Sequence, residues 1–171
     1  MNGFTPDEGG AGGRPRSHMY QIRLATLDDV DELTRLRLDF LEEVGSLKAG
    51  AGGGELGAAT RDYMARKMPS GGFLVWVAES EGAIVATSGV TIFERPPNGA
   101  NPSGLEAYLS NMYTLPAWRG RGLGTALVQT VVAHLKATRV RRIWLHATEQ
   151  GRPVYAKAGF VPSETDMELA W

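Results

Sequence analysis

The sequence of 171 residues contains no cysteine and only three histidines. Disulfide bonds, a thiol nucleophile and thiolate metal sites are therefore excluded, and three scattered histidines do not form the cluster that a metal centre needs. The chain also lacks any run approaching the ~18 uninterrupted apolar residues of a membrane-spanning helix, and it does not begin with the hydrophobic core of a secretion signal. We therefore expect a cytoplasmic protein with no metal and no membrane partner.

Acidic residues are absent from one long segment, residues 107–148, although the whole chain carries a net charge of only −1. Six basic residues lie in that segment: Arg119, Arg121, Lys136, Arg139, Arg141 and Arg142. Such a segment tolerates an anion, either nucleic acid or a small molecule that carries phosphate. Because the six charges are split among a predicted loop, helix and strand, and no stacking aromatics alternate with them, we expect no nucleic-acid partner.

Glycine, in contrast, is abundant, with 22 residues in the chain, nearly twice the ~7% average share. Five glycines lie in residues 1–13 and six lie between Gly45 and Gly57. The first group is mixed with proline and charge and has no hydrophobic periodicity, so it predicts a disordered leader over residues 1–18. The second group predicts a mobile loop after the first helix. The remaining residues, 19–171, have the size of one ordinary domain.

Hydrophobic periodicity predicts an α/β (α+β) fold in which strands alternate with helices. The predicted strands cover residues 20–24, 73–77, 84–93, 105–114, 142–147 and 167–171. The first predicted helix begins at Thr26, with Asp29 as the capping partner three residues later. The other predicted helices cover residues 58–68, 123–138 and 152–158. In the C-terminal half, strand, helix and strand form a βαβ unit with a right-handed crossover and two parallel strands.

A glycine-rich turn connects a predicted strand to a predicted helix in that unit. Gly120, Gly122 and Gly124 let the backbone approach a ligand closely, and the start of the helix offers unpaired N–H groups to an anion. A nucleotide P-loop is excluded because no lysine follows the glycines, and a Rossmann turn is excluded because position 125 is Thr125. The pattern that remains is Arg-x-x-Gly-x-Gly beginning at Arg119. It is either an anion-binding turn or a tight turn beside solvated arginines.

Three motifs occur in a fixed order along the chain. The opening segment reads Ile22-Arg23-Leu24-Ala25-Thr26, the strand Asn111-Met112-Tyr113-Thr114 leads through Pro116 into the glycine turn, and a late element reads Tyr155-Ala156-Lys157-Ala158-Gly159-Phe160. In this order they resemble the first strand and helix, the acetyl-CoA pyrophosphate loop and the Tyr-x-x-x-Gly-Phe element of the GNAT superfamily of N-acetyltransferases. The resemblance extends over residues 19–171.

The resemblance implies the GNAT fold, a mixed and mostly antiparallel central sheet flanked by helices. Its two middle parallel strands, here 105–114 and 142–147, splay apart. It also implies acetyl-CoA as the co-substrate, with the pantetheine and thioester along the main chain of Met112, Tyr113 and Thr114. The backbone N–H groups of the turn would hold the pyrophosphate: Arg119, Gly120, Arg121, Gly122, Leu123, Gly124 and Thr125.

In family terms, the chain is expected to transfer the acetyl group directly to an amine of a small molecule or peptide, through a ternary complex and without metal. A homodimer is one option for the assembly, since many family members are dimers. The alternative interpretation is a non-catalytic acyl-CoA-binding regulatory module that keeps the loop but lacks a productive base.

Amide formation requires a neutral amine, and deprotonating a lysine-like amine of pKa ~10.4 at pH 7 costs roughly 4–5 kcal/mol. A base must therefore remove a proton, and the departing thiolate benefits from a proton donor. The resemblance implies that Tyr155 is this donor, whereas spacing alone makes it an aromatic anchor of the last helix. Some relatives have a glutamate where this sequence has Tyr108. Glu106, two residues earlier, is therefore the predicted base, with Glu149 and His146 as other candidates.

The acceptor side is expected at the end of the first helix and at the mouth of the splayed strands. Asn111 is predicted to orient a strand or a substrate group through hydrogen bonds. Phe40 and Glu43 are predicted to contact the acceptor, with the carboxylate of Glu43 attracting a cationic amine, although an exposed helix end is the simpler interpretation. Small amines, amino acids, antibiotics and peptide N-termini all stay open as acceptors.

Overall fold

The computed structural model describes residues 19–50 and 54–163, together with Met167 and Leu169. The leader predicted over residues 1–18 lies outside this part of the chain, as does most of the strand predicted at 167–171. None of the helices that it contains is long and apolar enough to cross a membrane. The same residues hold no group of three or more His, Asp or Glu side chains that could bind a metal ion.

Within the described residues, five strands and four α-helices follow one another. Their bounds are β1 (Gln21–Leu24), α1 (Val30–Glu43), α2 (Glu55–Lys67), β2 (Phe73–Ser80), β3 (Ala83–Glu94), β4 (Leu105–Thr114), α3 (Leu123–Lys136), β5 (Arg142–Trp144) and α4 (Arg152–Lys157). A 3-10 turn over Leu27–Asp29 precedes α1. The N–H of Thr26 donates to a carboxylate oxygen of Asp29 at 2.8 Å, which confirms the predicted capping pair.

The strands form one mixed sheet in the order β1-β2-β3-β4-β5. The first four are antiparallel to their neighbours, and β4 and β5 are parallel. The parallel ladder holds only three residue pairs and ends at Tyr108 opposite Trp144, while β4 continues to Thr114. The sheet therefore opens between β4 and β5, as the predicted splay requires, and the mixed fold is confirmed.

Three segments differ from the sequence-based expectation by about three residues. β2 extends to Ser80, beyond the predicted end at residue 77, because it pairs with β3 along its whole length. The strand predicted at 142–147 ends at Trp144, because β4 diverges there and no ladder partner remains. The loop predicted up to Gly57 is shorter, since α2 begins at Glu55 and Gly57 is a buried helical residue.

The core lies on both faces of the sheet, and β2 shows why. Val75 and Val77 pack with α1 and α2 on one face, whereas Trp76 and Ala78 belong to the cluster on the α3 face. This alternation follows from the two-residue period of a strand. Both faces of the sheet are thus covered by helices, which leaves the splayed end as the place where a ligand can enter.

Candidate functional site

A β-bulge redirects β4 at the point where it leaves β5. The register of β3 and β4 shifts between Thr87 and Gly89, and Asn111 adopts a left-handed backbone conformation with φ of 51°. The hydroxyl of Thr87 donates to the backbone oxygen of Asn111 at 2.9 Å, which holds the bulge. Gly89 is required opposite it, because a Cβ there would lie 2.8 Å from the Phe73 ring. Bulges of this kind re-aim side chains beside active sites.

A cleft with a volume of about 1090 Å³ opens at this end of the sheet. Its walls come from α1 and α2 on one side and from α4 and the segment after β5 on the other, with β4 along its floor. The volume is of the order found for sites that bind large organic ligands, about 300–1,000 Å³.

The glycine turn lies at one end of this cleft and leads into α3. Gly122 is the N-cap of α3 with φ of 80°, and Gly120 has φ of 76°. A Cβ at either position would have no protein atom within 4 Å, so both glycines face open space. No described side chain caps α3 through a hydrogen bond. The first turn of a 14-residue helix is therefore available to an anion, since its N–H groups are unpaired and its dipole is positive there.

The two arginines of the turn are held against its own backbone. Arg119 donates from Nε to the carbonyl of Thr114 at 3.0 Å, and Arg121 donates to the carbonyl of Ala117 at 3.0 Å. Arg121 also lies over the Trp118 ring, 4.7 Å from its centroid. Both positive charges are thus kept beside the helix N-terminus, where they add to its attraction for an anion.

Tyr155 lies on α4 and lines the wall of the cleft opposite α1 and α2. Its ring packs edge-on against Phe160 with centroids 6.0 Å apart, and a Cβ at Gly151 would lie 2.9 Å from the ring. Burial raises the pKa of the Tyr155 phenol, and the nearby Tyr108 adds to the shift. The phenol therefore stays protonated at neutral pH and can donate a proton.

A second group of polar aromatics lies at the end of β5. The hydroxyl of Tyr108 and Nδ1 of His146 are 3.0 Å apart, and the Trp144 ring lies 4.6 Å from that of Tyr108, centroid to centroid. Tyr108 and His146 both line the cleft, as does Glu149. The carboxylate of Glu149 is 92% exposed and lies 3.3 Å from Arg152.

Glu106, the predicted base, lies outside this group. Its side chain is only 6% exposed, and its carboxylate lies 3.5 Å from Arg95 and 3.7 Å from Arg142. It is not among the residues that line the cleft. The carboxylate predicted to remove the proton therefore forms ion pairs with two arginines.

The residues predicted to contact the acceptor all line the cleft on the α1 side. The Phe40 and Tyr113 rings pack edge-on at 6.3 Å. Glu43 lies 2.5 Å from a guanidinium nitrogen of Arg119, so its carboxylate is paired with the glycine turn. Asn111 accepts a hydrogen bond from Arg37.

Arg37 is a cleft residue that sequence reasoning missed. It lies on α1 within the stripe formed by Leu33, Leu36 and Phe40, where the helical repeat places it on the core-facing side. A charged residue at an apolar position of an amphipathic helix was the signal available in the sequence. Tyr63 on α2 faces the same space and was also missed.

The predicted cofactor residues divide into two sets. Those that line the cleft are Met112, Tyr113, Thr114, Arg119 and Gly124. Those that lie beyond its lining are Gly120, Arg121, Gly122, Leu123 and Thr125. The Leu123 side chain is buried in the core, so only its backbone can face a ligand.

Comparison with known proteins gives one consistent picture. The model of the acetyltransferase (GNAT) family matches residues 40–160. A predicted acetyltransferase with acetyl-CoA from Clostridium acetobutylicum is 30% identical, with a TM-score of 0.81 over 89% of this chain and 96% of that one. A GCN5-related N-acetyltransferase from Ralstonia eutropha JMP134 is also 30% identical, with a TM-score of 0.79 over 90% and 99% of the two chains. No match is found among curated proteins.

Proposed function

Because the chain belongs to the acetyltransferase (GNAT) family, we propose that it transfers the acetyl group of acetyl-CoA directly to an amine of a small molecule or peptide. The observation that carries this proposal is one continuous cleft. It joins the free N-terminus of α3, the unpaired end of β4 and the phenol of Tyr155. These are the features needed to bind a pyrophosphate, an extended thioester arm and a leaving thiolate.

The β4 edge accounts for binding of the pantetheine arm. Beyond Tyr108 this edge has no strand partner among the described residues, so its N–H and C=O groups can pair with an extended chain in the manner of an added strand. Met112, Tyr113 and Thr114 lie on this segment and line the cleft. The glycine turn follows them directly, so an arm bound along β4 leads its pyrophosphate to the start of α3.

Tyr155 supplies the proton for the leaving group. The amine nitrogen bonds to the acetyl carbon, the carbon–sulfur bond breaks, and the electron pair stays on sulfur. A thiol has a pKa of ~8.5, whereas burial raises the pKa of Tyr155 above its usual value near 10. Full transfer of the proton from the phenol to a free thiolate is therefore unfavourable. Tyr155 acts while the carbon–sulfur bond breaks, by donating its proton toward sulfur as negative charge develops there, which is the role of a general acid.

Proton removal from the amine is assigned to His146. Its imidazole lines the cleft beside Tyr108, and histidine is the side chain used most often as a general base. Glu106 remains the sequence-based prediction, but its ion pairs with Arg95 and Arg142 argue against it. In a comparison of kcat/KM with a preferred amine, His146→Gln should lose about 100-fold or more, and Glu106→Gln should lose much less, since only His146 lines the cleft. The reverse result would return the role to Glu106.

The proposal is tested by thiol release from acetyl-CoA with a panel of amines. We expect acetyl-CoA to bind in calorimetry and thiol release to require an amine. Absence of both binding and turnover would overturn the proposal. Binding without turnover on any amine would favour a non-catalytic acyl-CoA-binding module instead.

A further inference from the structure

The acceptor side of the cleft contains a partly buried arginine. Arg37 lies on α1 and lines the cleft. One of its N–H groups donates to the side-chain oxygen of Asn111. The guanidinium has five N–H donors, so this single bond leaves most of them for another partner. Arg37 thus lies beside Asn111, where β4 leaves β5 and both residues line the cleft.

The negative charges of the cleft do not neutralise Arg37. Glu43 pairs with Arg119 at 2.5 Å, and it lies six residues further along α1, about 9 Å at 1.5 Å per residue. Glu149 pairs with Arg152 at 3.3 Å at the exposed rim. No carboxylate of the described residues forms an ion pair with Arg37. A cationic centre thus faces the acceptor space without a counter-ion from the part of the chain that the structure describes.

Burial makes this arrangement costly unless an anion is present. Desolvation lowers the pKa of Arg37, and the phenols of Tyr108 and Tyr63 are the neighbouring groups that offset the shift. Arginine presents a planar fork that matches the two oxygens of a carboxylate or a phosphate. The hydroxyls of Tyr63 and Thr91, which lie 3.2 Å apart on the same side of the cleft, add polar groups near it.

We propose that the acceptor is a small amine that carries an acidic group, a carboxylate or a phosphate, and that Arg37 binds this group. The inference rests on the proposed acetyl transfer, because it concerns the second substrate of that reaction. An amine without an acidic group enters as a cation, and the positive charge of Arg37 repels it. With an acidic group, the substrate pairs with Arg37 and leaves its nitrogen free for the thioester.

The test compares matched amines on the intact protein. One arm sets small amino acids against their amides, and the other sets aminoethyl phosphate against ethanolamine. We expect the acid-bearing member of at least one arm to exceed its neutral counterpart by about 10- to 100-fold in kcat/KM, the range expected for hydrogen bonds to a charged group. The arm that shows the preference identifies carboxylate or phosphate. Equal turnover of acidic and neutral amines in both arms would overturn the inference while leaving acetyl transfer intact.

Variants of Arg37 then test whether this residue causes the preference for acidic amines. Arg37→Met should abolish it with acetyl-CoA affinity unchanged, and Arg37→Lys should retain part of it. Arg35→Met is the matched control on the same helix, because Arg35 is exposed, does not line the cleft and forms its ion pairs among the described residues with Glu32 and Asp39. Its preference should equal that of the wild type. A preference that survives in Arg37→Met would place the acid elsewhere and refute the assignment.

Direct binding separates this inference from the proposed function. Calorimetry with the acid-bearing amine of each arm in the presence of CoA requires no turnover. At least one of these amines should bind the wild type, and it should bind Arg37→Lys at least tenfold more weakly. If no amine is acetylated but this difference is seen, acetyl transfer fails and the acid site stands. If amines are acetylated and no such difference is seen, the acid site fails alone.

Discussion

Replacing Tyr155 with phenylalanine removes the phenol oxygen that the proposed mechanism uses and keeps the rest of the ring. The ring packs edge-on against Phe160 at 6.0 Å, and phenylalanine preserves that contact. Among the described residues the hydroxyl forms no hydrogen bond, so its removal leaves no buried partner unsatisfied. The stability of Tyr155→Phe should therefore stay within about 0.5 kcal/mol of the wild type.

The expected catalytic loss follows from the chemistry of the leaving group. General acid catalysis contributes typically about 100- to 10,000-fold. A thiolate, with a conjugate pKa of ~8.5, is a better leaving group than an alkoxide and needs less help. We therefore expect kcat to fall by more than tenfold, which corresponds to more than about 1.4 kcal/mol in the barrier. Acetyl-CoA affinity should hardly change.

The assay is thiol release under saturating amine, with acetyl-CoA binding measured by calorimetry. Tyr20→Phe is the matched control, since Tyr20 is 37% exposed and does not line the cleft. Burial raises the pKa of Tyr155, so wild-type kcat should show no loss from its deprotonation until the pH passes about 10. Near-normal turnover in Tyr155→Phe would refute the donor role and leave the residue as an anchor of α4.

Three further predictions concern the framework that holds the cleft. Gly122→Ala places a Cβ on a residue with φ of 80°, so it should cost about 1–2 kcal/mol of unfolding free energy and weaken acetyl-CoA binding in calorimetry. Leu127→Ala truncates a side chain that is 0% exposed on α3 and should cost about 2–5 kcal/mol in urea denaturation. The hydrogen bond from Arg23 lowers the pKa of Asp29, so its stabilisation is complete above the unfolded pKa of ~3.9 and is lost as pH falls through the lower folded value. Urea denaturation across this range should show a weaker acid dependence in Arg23→Met, and unchanged dependence would contradict the pairing.

Elements with strong periodicity could be predicted from the sequence because one face of each is buried. The apolar stripe of α3, formed by Leu123, Leu127, Val131 and Leu135, is at most 1% exposed. The bounds of β4 agree with the prediction for the same reason, since turn residues flank a continuous strand pattern. The glycine turn could likewise be recognised, because its glycines and arginines lie at neighbouring positions of the sequence.

The bulge and the length of β5 could not be predicted, because neither is a local property. The bulge requires a register shift against β3 and the fit of Gly89 beneath the Phe73 ring. The end of β5 depends on where β4 turns away. Cross-strand packing decides both, and a single strand's sequence contains no record of its partner's register. The ion pairs of Glu106 could not be predicted for the same reason, because Arg95 and Arg142 come from two other segments of the chain.

The acceptor side differs from the cofactor side in how it is encoded. The residues proposed to bind acetyl-CoA lie within residues 105–125 and would act mainly through backbone groups, so a short motif describes them. The acceptor features are side chains joined across the chain, since 74 positions separate Arg37 from Asn111 and 76 separate Glu43 from Arg119. Glu43 connects the two proposed sides, because it lines the cleft and its carboxylate lies 2.5 Å from Arg119 of the glycine turn. If the glycine turn holds a pyrophosphate, as we propose, the Arg119–Glu43 pair is the contact through which it would change the charge of the acceptor space. A motif confined to either side does not contain that pair.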